Sequence, residues 1–134
     1  MSNRLSGNVG ERQSLASTTH DLPLCTVVIP CRDEVAFIDR CLGSIIASSY
    51  PKARLEVLVI DGMSGDGTRQ IIQEYMSRYP FVRMLDNPKR VTPAGLNVGV
   101  KEALGSVVLR MDAHAEYEPA GVRIADLRAV LAQI

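Results

Sequence analysis

The sequence predicts an α/β fold, a mostly parallel sheet with helices on both faces. Short apolar runs rich in β-branched residues suit buried strands. Between them lie longer segments whose apolar residues recur at helical spacing. The alternation continues along the chain with no internal repeat and no second domain. Strand–helix–strand units of this kind join by right-handed crossovers, which lays successive strands parallel.

Each element has a local reason. Leu24–Pro30, LCTVVIP, is a strand stopped by proline. Asp33–Ser48 reads as a helix with Val35, Ile38, Leu42, Ile45 and Ile46 on one stripe, Asp33 serving as N-cap or first-turn residue and Tyr50-Pro51 closing the segment. Leu55–Asp61 is the second strand. A helix starting near Asp66–Thr68 then lines Ile71, Ile72, Tyr75, Met76 and Tyr79 along one face. Phe81–Leu85 is a short third strand. Thr92 suits an N-cap and Pro93 the first helical position. The helix they open carries Leu96, Val100, Ala103 and Leu104 as its apolar stripe and ends at Gly105. Gly95 and Gly99 on it permit close helix–sheet packing. Ser106–Asp112 is the fourth strand, and Pro119–Gln133 is expected to form a last helix. Residues 1–22 read as a loosely attached or disordered tail.

Composition removes several function classes. The 134 residues suffice for one domain, and 46% hydrophobic residues suffice for its core. Fifteen basic residues balance fifteen acidic ones, so no basic field holds nucleic acid or anionic lipid. Aromatic content is 4% with no tryptophan, which argues against a base-stacking surface. Cys25, Cys31 and Cys41 form no C-x-x-C motif and read as reduced, mostly buried thiols. With no signal peptide and no apolar run long enough to span a bilayer, the expected location is the cytoplasm. Peripheral attachment at the inner membrane face stays open.

In open parallel sheets, ligands bind beyond the carboxyl ends of the strands where strand order reverses. The strand ends here read PCRDE, DGMSGDG and DAH. The loop after the first strand lacks the glycines of a dinucleotide site, and no G-K-[ST] exists for a Walker loop. What remains is a pocket rimmed by carboxylates. Carboxylates accept hydrogen bonds from a base or ribose, or hold a cation that neutralises a diphosphate. Asp61 suits the first task, with Gly62, Gly65 and Gly67 bending the loop clear of the ligand. A strand-end turn or helix cap is its plainer alternative. Asp112 and His114 flank Ala113 on a segment leaving a strand. Both can turn toward one Mg²⁺ or Mn²⁺ ion, the imidazole favouring Mn²⁺, although a solvated loop histidine is the plainer reading.

Together these stretches resemble the amino-terminal half of a family 2 glycosyltransferase with the Rossmann-like GT-A fold. VVIPCRDE is similar to the family's VVIPxxNE, VIDGMSGDGT to VDDGSTDGT, and GLNVG before VVLRMDAH to GxNxG before a strand ending in D-x-D. The resemblance runs from about Leu24 to Pro119. The wording around RVTPAGLN and RMDAH is closest to the subgroup that builds exopolysaccharides of the succinoglycan type.

The resemblance implies inverting transfer of a sugar from a nucleotide diphosphate, UDP foremost, to an acceptor hydroxyl. Pro30, Arg32, Glu34, Asp61 and Asp112 would contact the nucleotide sugar. Asp112 and His114 would hold a Mn²⁺ or Mg²⁺ ion that stabilises charge on the leaving diphosphate. Asp33 departs from the family pattern where asparagine is common, Gly62 where the second aspartate of the DD pair stands, and His114 at the last aspartate of D-x-D. Leu96 occupies a position where many members carry a basic residue. Lys89 or Arg90 supplies that charge from the preceding loop, unless the loop is merely solvated. The general base in the family comes from a later element, and Glu116 and Glu118 read as exposed loop carboxylates. Residues 23–134 are thus expected to form a partial domain, the donor half present and the acceptor half missing. The alternatives are a non-catalytic nucleotide-binding module, or an assembly fragment completed by another chain or by oligomerisation.

Overall fold

The computed structural model describes residues 22–114. They form strands β1 (Cys25–Cys31), β2 (Leu55–Asp61), β3 (Val82–Asp86) and β4 (Val107–Arg110), and helices α1 (Ile38–Ile46), α2 (Thr68–Arg78) and α3 (Thr92–Glu102). All pairings are parallel and the strand order is β3-β2-β1-β4. The chain steps from β1 to β2 to β3, then crosses back to place β4 on the other side of β1. The predicted alternation and the reversal of strand order are both present.

Strand alternation divides the core. Cys25, Val27, Ile29, Val57 and Val59 pack with Ile38, Cys41, Leu42 and Ile45 of α1 and Ile72 of α2. The intervening residues Val28, Leu58 and Ile60 pack on the opposite face with Leu96, Val98 and Ala103. Two helices therefore cover one face and α3 covers the other. The three cysteines are buried thiols, and burial pushes Cys25 up to about 11.

Several boundaries depart from the predicted ones. Asp33 is not an N-cap: it is exposed with φ 52°, and α1 starts after Phe37 with no side-chain cap. Val91, not Thr92, is the N-cap of α3. The apolar stripe of that helix is also displaced. Val100 and Leu104 are 60% and 73% exposed, whereas Gly95 and Gly99 face inward. Met76 is likewise exposed rather than part of the packed face of α2. Asp112 follows β4 instead of ending it. The tail before Leu22 and the segment Pro119–Gln133 lie outside the described residues.

A buried polar network closes the opposite end of the sheet. Glu56 accepts hydrogen bonds from the Thr26 hydroxyl at 2.7 Å, the Leu104 amide at 2.9 Å and Arg83 at 3.3 Å. The Thr26 hydroxyl in turn accepts from the Gly105 amide at 2.9 Å. These bonds fasten the turn between α3 and β4 to the foot of β1 and β2, and so fix where β4 enters.

Close packing of α3 depends on Gly99, where an added Cβ would lie 2.4 Å from Val28 Cγ1. Gly99→Ala is expected to lower stability by about 1–3 kcal/mol through overpacking, measured as a reduced urea midpoint.

Candidate functional site

Because the chain leaves β1 for β2 on one side and returns after β3 to lay β4 on the other, strand order reverses at β1 and the carboxyl ends of β1 and β4 border a crevice. A cavity of about 250 Å³ opens there. Pro30, Arg32 and Glu34 line it from the β1 end, and Asp112 and His114 from the β4 end. Asn87, Arg90, Val91 and Thr92 complete it from the segment that opens α3. Five of the six residues expected to contact ligand thus share one cavity.

The two sides are positioned differently. The Met111 amide donates to Val28 O at 3.0 Å and extends the pairing one step beyond β4. Ala113 is buried in the core, so its small side chain plugs the turn rather than merely keeping a ligand's approach open. Asp112 and His114 on either side of it keep 47% and 63% of their side chains accessible. Asp112 Oδ1 accepts from Arg110 at 3.0 and 3.2 Å. His114 Nδ1 stands 3.6 Å from Glu34 Oε2, linking the rims. Asp112 and His114 could together hold a cation, although among the described residues no three His, Cys, Asp or Glu side chains form a metal-holding group. This donor pair fits an ion whose remaining positions are filled by phosphate oxygens and water.

Asp61, the sixth expected residue, is not among the cavity-lining residues. It shares the strand parity of Val57 and Val59, which turn toward α1 and α2, and it is 0% exposed. Its carboxylate accepts from the Ser64 amide at 2.9 Å and hydroxyl at 2.5 Å, Arg69 Nη1 at 2.8 Å and Cys31 Sγ at 3.5 Å. Burial alone would raise its pKa, but these donors outweigh it and hold the carboxyl below the usual range. The same contact, after burial, pushes the Cys31 thiol up.

The loop after Asp61 braces the loop after β1. The Asp33 amide donates to Ser64 Oγ, the Gly65 amide to Asp33 Oδ1, the Val35 amide to Asp66 Oδ2 and the Glu34 amide to Thr68 Oγ1. The Thr68 hydroxyl donates to Asp66, which holds that carboxyl below the ordinary value. Of the loop glycines, Gly67 adopts the left-handed conformation at φ 103°. Gly62 permits close approach, since an added Cβ would lie 3.3 Å from Arg90 O.

Asn87 was not singled out by its sequence. It is 4% exposed and lines the cavity. Nδ2 donates to Val91 O at 2.9 Å. Asn-Pro after a predicted strand signals a turn, and that signal hides a side chain turned inward. Arg69, which joins Asp61 to Asp86 with a 2.8 Å bond to each, was equally invisible, because its helix position says nothing of partners across the sheet edge.

The profile of the family described as Glycosyl transferase family 2 matches residues 26–125. The chain belongs to glycosyl transferase family 2. It is 38% identical over 93 residues to the Succinoglycan biosynthesis protein ExoA of Rhizobium meliloti, covering 68% of this chain and 28% of that protein. With the Glycosyltransferase AglE of Haloferax volcanii it shares 32% identity over 95 residues, 70% of this chain and 31% of AglE. It spans only about three tenths of the length of these curated relatives. The mannosyltransferase PcManGT of Pyrobaculum calidifontis, solved with GDP-Man and Mn²⁺, superposes with a TM-score of 0.67 at 26% identity, over 85% of this chain and 37% of that one. The expected GT-A fold of a family 2 member is therefore established.

The Asp61 junction carries a pH signature. Its contribution to stability is complete above the ordinary carboxylate pKa of about 3.9 and is lost as pH falls through the depressed native value. Asp61→Asn is expected to cost about 1–3 kcal/mol at pH 7, with the difference from the parent protein shrinking toward pH 2–3. Urea unfolding across that pH range measures it.

Proposed function

We propose that this chain is the donor-binding part of a glycosyltransferase that takes a sugar from a nucleotide diphosphate, UDP foremost, and passes it with inversion to an acceptor hydroxyl. The observation that carries the reading is the gathering of Glu34, Asp112, His114 and the buried Asn87 around one cavity at the switch point between β1 and β4. Family membership and the likeness to a mannosyltransferase solved with GDP-Man and Mn²⁺ support it.

In this reading, Pro30 and Arg32 wall the nucleoside and Glu34 makes a polar contact. Asn87 lies beside the base or ribose. Asp61 reaches the ligand only by exchanging a partner, and the Cys31 thiol, at 3.5 Å the longest of its donors, yields most readily to a ring N–H. Asp112 and His114 hold a Mn²⁺ or Mg²⁺ ion. Bound there, the ion supplies positive charge opposite the diphosphate as it leaves. Both Arg110 bonds go to Asp112 Oδ1, so Oδ2 is the oxygen left to serve the ion. The acceptor-binding residues and the general base are assigned to no residue of this chain.

Resemblance to the succinoglycan protein supports a role in exopolysaccharide synthesis. Buried thiols suit the reducing cytoplasm. Among the described residues no helix is long and apolar enough to cross a membrane. The second reading is a nucleotide-binding module, favoured by the gathering of the ligand cavity within the described residues.

Calorimetry of the full chain with UDP, GDP and their sugar conjugates, with and without Mn²⁺, tests the binding. Mn²⁺ is expected to tighten UDP binding at least about tenfold, and Asp112→Asn is expected to abolish that gain. No nucleotide binding under any condition would reject the reading. Binding without UDP release from any UDP-sugar, in the presence of acceptor lipids or glycans, would favour the binding module.

A further inference from the structure

We propose that Arg90 is the residue that grips the phosphates of the bound nucleotide, an inference that rests on the nucleotide-binding reading above and names the group that meets its anionic end. The arginines at the carboxyl edge of the sheet are otherwise committed. Arg69 is shared by Asp61 and Asp86 at 2.8 Å each. Arg110 closes on Asp112 at 3.0 Å, and Arg32 stands 3.8 Å from Asp33. Arg90 lines the cavity, is exposed, and meets no carboxylate among the described residues. Arg32 and Arg110 also line the cavity, but each stands against a carboxylate, while Glu34 and Asp112 would repel a diphosphate. An uncommitted guanidinium offsets them and matches phosphate oxygens in pairs.

The backbone holds Arg90 in place at a cost. Its φ of 67° lies in the left-handed region that a residue with a Cβ seldom adopts. A turn bond from its amide to Asn87 O at 3.0 Å maintains it. Its carbonyl packs against Gly62, where a Cβ would come within 3.3 Å of that oxygen and of Arg32 Cβ. Leu96 packs against the core beside Val28, Leu58 and Ile60 and brings no charge to the site. Gly62 leaves the space that lets the Arg90 segment lie over the end of β2.

The test compares ligands with and without phosphate on the full chain. Uridine, UDP, guanosine and GDP are titrated by NMR, which reads weak binding, against the parent protein, Arg90→Gln and Arg90→Lys. Arg90→Gln is expected to weaken UDP or GDP about tenfold to a hundredfold while leaving the matching nucleoside within about twofold. Arg90→Lys should recover part of the loss, because it retains the charge without the paired geometry. The parent's affinity for the diphosphate should also fall more steeply with salt than that of Arg90→Gln. Unchanged diphosphate affinity in Arg90→Gln would overturn the assignment. So would an equal loss for nucleoside and diphosphate, which would mean that the residue shapes the loop rather than meeting the phosphates. If the parent binds neither nucleoside nor diphosphate, the nucleotide reading itself fails and takes this inference with it.

Discussion

The fully buried carboxylate of Asp61 is the constraint from which the ligand-facing edge of the sheet is built. A charge in the interior is costly unless it is paired and hydrogen-bonded. Ser64 satisfies it from the following loop, Arg69 from the first turn of α2 and Cys31 from the neighbouring strand. Each partner gives up freedom in doing so. The loop from Gly62 to Gly67 folds back on its own strand end, α2 is registered against β2 and β3, and the ends of β1 and β2 are drawn level. Glu34 then inherits its position, since the hydroxyl that receives its amide belongs to Thr68 at the start of α2.

Glu56 does comparable work at the other end of the molecule. With Asp61 it is one of the two carboxylates in an otherwise apolar β2, and its donors come from three separate segments. Fastening the turn after α3 to the foot of the sheet determines that β4 joins beside β1. Without that placement β1 and β4 would not border a crevice, and Asp112 and His114 would have no facing wall. The two buried carboxylates thus divide the labour between topology and loop geometry.

Much of this was legible in the sequence. The bounds of β2 coincide with the predicted run Leu55–Asp61, because the apolar stretch Val57–Ile60 lies at its centre between polar turns. Gly95 and Gly99 were correctly read as contact points. Pro30, Arg32, Glu34, Asp112 and His114 could be brought to one edge because parallel strands all end on the same side. What failed was resolution finer than an element. Period-3.6 reasoning put Val100 and Leu104 inside, whereas the glycines of α3 occupy the inward face and turn those larger residues out. Asp33 suited a cap by composition, but its left-handed backbone serves the neighbouring loop. The strand-end position of Asp61 suits a carboxylate that accepts from a ligand, with a turn or cap role as the plainer alternative. Counting alternate residues from Val57 and Val59 would have put it with the α1 and α2 side, and the identity of its partners lay in no local pattern.

The hydrogen bonds between the two loops reach further than the placement of Glu34. Three are donated by the amides of residues 33–35 and one returns from the Gly65 amide, together joining residues 33–35 to residues 64–68. Such a lattice has little stability one bond at a time and opens as a cooperative patch. A guest touching only the first loop would therefore quiet the amides of the second, which it never reaches. Part of its binding energy would be spent on ordering that distant stretch. Amide exchange at Gly65 then becomes a remote reporter of occupancy.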